Sequence, residues 1–115
     1  MFGNNVFTLG RVFDTIVIRE GEESLTLRVN ADPARLVVGL SQAQKKLVTI
    51  TTETPDEERK KIALFFAGVI FGEDQAQKLL DYYYGDSSCV VAVCGQYFAK
   101  RLQKLITRAQ KKIRK

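Results

Sequence analysis

The chain has 115 residues, 45% hydrophobic and 27% charged, which fits a single globular domain and argues against wholesale disorder. Its formal charge of +5 is local: residues 1–99 carry ten Lys and Arg against thirteen Asp and Glu, while the last sixteen carry eight cations and no anion. There is no His, which removes the commonest general base and the usual metal ligand, and two cysteines are too few for a disulfide framework.

In chain order, residues 13–19 (FDTIVIR) and 25–30 (LTLRVN) are β-prone runs around a short Gly-containing connection, and they predict an antiparallel hairpin. Leu25, Leu27 and Val29 alternate with Thr26 and Arg28, so one face of the second strand is buried. Ile16, Val17 and Ile18 are consecutive, which suits a central strand. Val6, Phe7 and Leu9 would then supply a short third one.

Asp32 then caps a first helix opened by Pro33, whose missing N–H costs nothing at that position. Leu36, Leu40, Ala43, Leu47 and Ile50 give it one apolar stripe. In TTETPDEER, Thr54 is placed to cap, Pro55 to open, and Glu57 to close a capping box, with Asp56, Glu57 and Glu58 at the positive end of the dipole. The second helix continues through IALFFAGVIF, apolar nearly all round and therefore central, and stops at Gly72. A short third helix lies between Gly72 and Gly85, and Asp86 or Ser87 caps a long fourth. The expected fold is α+β in one domain over 1–115. A hairpin region, of two or three short strands, spans 1–30, and about four helices span 31–115, the last long and amphipathic.

On that last helix, with Phe98 as zero and 100° per residue, Leu102, Leu105, Ile106, Ala109 and Ile113 fall between about −20° and 80°. Lys100, Lys104, Arg108, Lys111 and Lys115 fall between about 200° and 280°, on the opposite side. The stripe demands an apolar partner surface, and the basic face is solvated. That face has three readings: a solubilising helix end, a docking surface for an acidic protein, or a nucleic-acid grip. Aromatic interleaving and Gly-rich contact loops, which would favour nucleic acid, are absent. A helix–turn–helix around Gly85 would want a small residue at 81, where Asp81 stands. Tyr82, Tyr83 and Tyr84 spread over about 200° of helix surface, so they cannot all enter one core. The exposed part is either a wet hydroxyl tip or an interface anchor. The candidate partner-binding residues are Tyr82, Tyr83, Tyr84, Lys104, Arg108 and Lys111.

No catalytic, cofactor or metal site is expected. Cys89 and Cys94 lie about 140° apart on a helix, which diverges their side chains and makes them small apolar core residues. Glu73, Asp74 and Asp81 have no nucleophile or His to work with, and GEDQ is neither a phosphate loop nor a calcium loop. The N-terminus lacks a basic segment followed by an apolar run, and no apolar run approaches about 18 residues. These features predict a cytoplasmic protein with no membrane partner.

The order of elements resembles a family. A short β segment (LTLRVN), helices, and then FGEDQAQKLLDYYYGD with a final helix look like the tail assembly chaperones of tailed phages and prophages of Gram-positive bacteria. The likeness rests on Gly72, Ala76, Leu79, Leu80 and Gly85 within a G-[ED]-x-A-x-x-[LI]-type helix and its Gly/Asp break. It implies a non-enzymatic protein of the bacterial host cytoplasm that binds the tape measure protein and the major tail protein during tail assembly. It also implies a short and a frameshifted longer form in many members. No binding residue transfers from it, and homo-oligomerisation stays open. The competing reading is a small DNA-binding regulator using the basic C-terminal helix.

Overall fold

The computed structural model describes residues 10–114, with side chains through Lys111. Strands β1 (Val12–Glu20) and β2 (Glu23–Ala31) pair antiparallel, from Val12 opposite Ala31 to Glu20 opposite Glu23. The two-residue turn puts Gly21 at φ +63°, a conformation that costs glycine little and that matches the twist of a hairpin. Val12, Ile16 and Ile18 share the inner face with Leu25, Leu27 and Val29, while Phe13 and Val17 look outward. The consecutive Ile16-Val17-Ile18 run is therefore not the mark of a strand buried on both faces. Among the described residues β1 has a single partner, and the Val6, Phe7 and Leu9 strand lies outside them.

Four helical segments follow: α1 (Pro33–Leu47), α2 (Asp56–Phe71), α3 (Glu73–Tyr82), and a rod built from α4 (Ser87–Tyr97), a π-helical turn (Phe98–Leu102) and α5 (Gln103–Arg114). Backbone angles at Phe98 and Gln103 stay helical, so the rod is continuous. The α+β class, the hairpin and the long final helix are as the sequence predicts. Asp32 caps α1, its carboxylate accepting from the Arg35 N–H at 3.3 Å, and Asp86 caps α4, accepting from the Ser88 N–H at 3.0 Å. The cap of α2 differs from expectation. Pro55 takes the N-cap position itself, and the Thr54 hydroxyl turns back to accept the Thr51 N–H at 2.8 Å. Asp56, Glu57 and Glu58 still occupy its first turn, where the dipole favours them.

α2 packs against α1, α3, α4 and β2, as its all-round apolar sequence requires. Ala63, Phe66, Ala67 and Ile70 are buried along it. At the α1–α2 crossing Gly39 is needed for close approach, since a Cβ there would stand 2.6 Å from a Val69 methyl. Phe66→Ala and Ile70→Ala should each cost about 2–5 kcal/mol in denaturant unfolding, through lost transfer energy plus the cavity left behind. A loss below about 0.5 kcal/mol would contradict this packing.

The rod's buried positions are Ser87, Val90, Cys94, Tyr97, Leu102, Ile106 and Ala109. Every step between them is three or four residues except Tyr97 to Leu102, which is five. The π turn sits on that step, and its wider winding returns Leu102 to the core. A regular helix would instead direct residue 101 inward, and that residue is an arginine.

Candidate partner-binding face

The outer half of the rod carries the basic residues and the inner half anchors it. Leu102, Ile106 and Ala109 are buried, and Phe98 and Leu105 are half-buried against the core. Lys104, Arg108 and Lys111 are exposed and take no part in the two ion pairs found among the described residues. Three of the six candidate residues therefore lie together on one solvent-facing side.

Arg101 has a different task. Its guanidinium grips Asp14 through Nε–Oδ2 at 2.6 Å and Nη2–Oδ1 at 2.9 Å, while the Tyr97 hydroxyl donates to Oδ2 at 2.7 Å. Asp14 stands on the inner face of β1 between Val12 and Ile16, with only 7% of its side chain exposed. Its bond to Arg101, aided by those from Tyr97 and the Thr15 N–H, holds the carboxyl below its ordinary pKa despite burial. Burial, then the bond to Asp14, push the Tyr97 phenol up, so it stays a neutral donor. This clasp ties the rod to the hairpin. The signal was visible: Asp14 has the same parity as Val12, Ile16 and Ile18, and an acid on an apolar strand face demands a partner.

The three tyrosines do separate things. The Tyr82 hydroxyl accepts the Glu20 N–H at 2.8 Å and donates to the Glu23 carbonyl at 3.0 Å, bridging the last pair of the hairpin ladder. Tyr83 packs edge-on to Tyr82 at 5.1 Å and reaches Glu20 Oε1 at 3.4 Å; burial, followed by the Glu20 charge, raises its pKa. Tyr84 sits at φ +56° with 89% of its surface exposed. The break after α3 turns it out to solvent. Tyr82→Phe should cost about 1–2 kcal/mol by leaving the hairpin end without its bridge. Amide hydrogen exchange at Glu20 should speed up with it, and unchanged exchange there would contradict the assignment.

A second support of the hairpin comes from Gln75. Its amide accepts the Arg28 N–H at 2.8 Å and donates to the Arg28 carbonyl at 2.7 Å, replacing a neighbouring strand at that point of β2. Nothing in the order of residues flagged it, because a lone Gln on an amphipathic helix reads as a solvated position.

Between α1 and the rod lies a cleft of about 530 Å³, with walls from Val37, Leu40 and Leu47 on one side and Phe98 and Ile106 on the other, over Phe66. Its apolar lining brings no convergent titratable groups. Both cysteines are free, and burial pushes the Cys94 thiol up to about 12. The half-buried Cys89 donates its thiol hydrogen to the exposed Asp86 carboxylate at 3.4 Å. Glu73, Asp74 and Asp81 are all exposed, with Asp81 accepting from Gln77 at 2.9 Å. Among the described residues no group of three or more Cys, Asp or Glu side chains is arranged to hold a metal ion, and no helix is long and apolar enough to cross a membrane. Compared with protein-family models, curated proteins and solved structures, the chain matches none.

Proposed function

We propose that this chain is a non-enzymatic assembly chaperone of the tailed-phage kind, acting in the bacterial host cytoplasm on the tape measure and major tail proteins. The observation that carries the reading is the basic side of the rod. Lys104, Arg108 and Lys111 form an exposed row free of ion pairs among the described residues, on a helix whose opposite side is already packed. Charges arranged in this way contribute little to folding and remain available to steer a partner of opposite sign. Tyr84 adds an exposed aromatic ring at a separate place.

Co-expression with a tape measure protein from a neighbouring gene tests the proposal, and the absence of any such gene would count against it. The wild type should keep that protein soluble and co-purify with it. Lys104→Glu with Arg108→Glu should fold normally yet recover several-fold less, and equal recovery would reduce the basic side to a solvated helix surface. The row of cations also keeps the DNA-binding reading alive. Binding to duplex DNA should be weak, indifferent to sequence and lost by physiological salt, with a log–log slope near −0.9 per phosphate neutralised. Tight, sequence-selective binding at that salt would favour the regulator instead.

A further inference from the structure

The α1–rod cleft has features that the basic row alone does not explain. Val37, Ser41 and Gln44 fall on one line of α1, and Val48, the residue that caps its C-terminus, prolongs it; the spacing is four, three and four residues, a row of about 16 Å at 1.5 Å per residue. Both ends of that row are apolar and exposed: Val37 at 44% and Val48 at 74%. Below them Leu40 and Leu47 continue into the cleft, and Phe98 and Ile106 face them from the rod. The polar groups at the lip make small demands, since Thr107 already donates its hydroxyl to the Gln103 carbonyl at 3.0 Å. The result is an open apolar trough about three helical turns long.

Its charge is one-sided. α1, the π turn and α5 contain no Asp or Glu at all. On the wheel Lys45 follows Ser41 by four residues, and Lys104 and Lys111 flank Thr107 at −3 and +4, so exposed ammonium groups border the trough on both helices. Lys46 is not among them, because it lies over the Phe65 ring at 5.0 Å. An apolar floor with cationic rims matches an amphipathic helix whose apolar stripe is edged by carboxylates. A basic or uncharged segment would leave the rims uncompensated or repelled.

We infer that the α1–rod trough binds an acidic amphipathic helix of a partner protein, held by apolar anchors at i, i+3 or i+4, and i+7. This rests on the assembly-chaperone reading for the partner's identity but not for its chemistry. It gives the cations a place beside a specific site.

The test uses the full-length chain and a displayed library of 18-residue peptides. Leucines are fixed at an amphipathic spacing and the remaining positions mix Glu, Gln, Ala and Lys. Selection should enrich Glu beside the leucines and deplete Lys. The enriched peptide, made synthetically, should bind and gain helical circular dichroism. Val37→Glu, at an exposed position of the cleft wall, should weaken it at least about tenfold by putting like charge in the trough. Gln42→Glu, also exposed but about 140° from Val37 around α1, should leave it unchanged. No enrichment, enrichment of Lys, or insensitivity to Val37→Glu would overturn the inference. Binding that emerges only after residues 2–9 are deleted would assign the trough to the chain's own N-terminus. A dimer abolished by Val37→Glu would assign it to a second copy, and either result would refute the partner helix. Failure of the wild type to capture the tape measure protein while the peptide binds sinks the tail-assembly reading alone. Undiminished capture by Val37→Glu sinks the trough alone.

Discussion

Leu102→Asp is expected to unfold the chain or to lower its stability by at least about 4 kcal/mol, because it buries a carboxylate with no partner. Leu102 has no exposed surface, and it is the residue that the π turn brings back to the core. Two losses coincide in this one change: the apolar anchor that fixes the second half of the rod, and the solvation of a new charge. The contrast lies two and six residues away. Lys104→Glu with Arg108→Glu touches only exposed positions and should stay within about 1 kcal/mol of wild type. Urea titrations of the three proteins, followed by far-UV circular dichroism, would measure the difference. A cooperative, near-wild-type transition for Leu102→Asp would mean that the end of the rod is displayed rather than packed.

The second large effect belongs to the clasp. Asp14→Ala should cost about 1–3 kcal/mol, a figure reduced for the solvent around Arg101, whose side chain is 58% exposed. Most of the loss arises from the Tyr97 hydroxyl, which is left beside the apolar core without its acceptor. The Asp14 carboxyl also makes folding pH-dependent. Its folded pKa lies below its unfolded value, so its contribution is fully present above about pH 4 and fades as the pH falls through the folded value. Asp14→Asn keeps an acceptor for Tyr97 but removes the titration. The stability difference between wild type and Asp14→Asn should therefore be largest near neutrality and shrink on acidification from about pH 5 to about pH 2. A difference that grows in acid would contradict the clasp.

What could be read in advance followed from period and punctuation. The alternation in β2, the stripe on α1, the all-round apolar α2 and the breaks at Gly72 and Gly85 each act within one element, so neighbouring residues suffice to show them. The rod was legible as a helix, but a constant 100° step hides the five-residue interval from Tyr97 to Leu102. That interval is why Arg101, one of eight terminal cations, turns to the hairpin while Lys104, Arg108 and Lys111 face solvent. Asp14 with Arg101 spans 87 positions, and Gln75 with Arg28 spans 47. Pairs so distant are decided by how elements dock, not by local pattern. Thr54 misled for a related reason: its hydroxyl had a nearer acceptor role in the turn at Thr51 than at the start of α2. The basic side was read correctly as solvated, whereas the trough beside it exists only once α1 and the rod lie together.

The central claim is that solvated cations on the rod steer a partner rather than hold the fold. Its most direct measurement is the association rate with the proposed partner, a tape measure protein, as a function of ionic strength, for wild type and for Lys104→Glu with Arg108→Glu. Steering between exposed charges acts on the on-rate and is screened within about 10 Å at 0.1 M salt. The wild-type rate should fall steeply as salt rises, while the charge-reversed protein should start slower and respond little, with dissociation nearly the same for both. Association rates that coincide at low salt, or a wild-type rate that ignores salt, would contradict it.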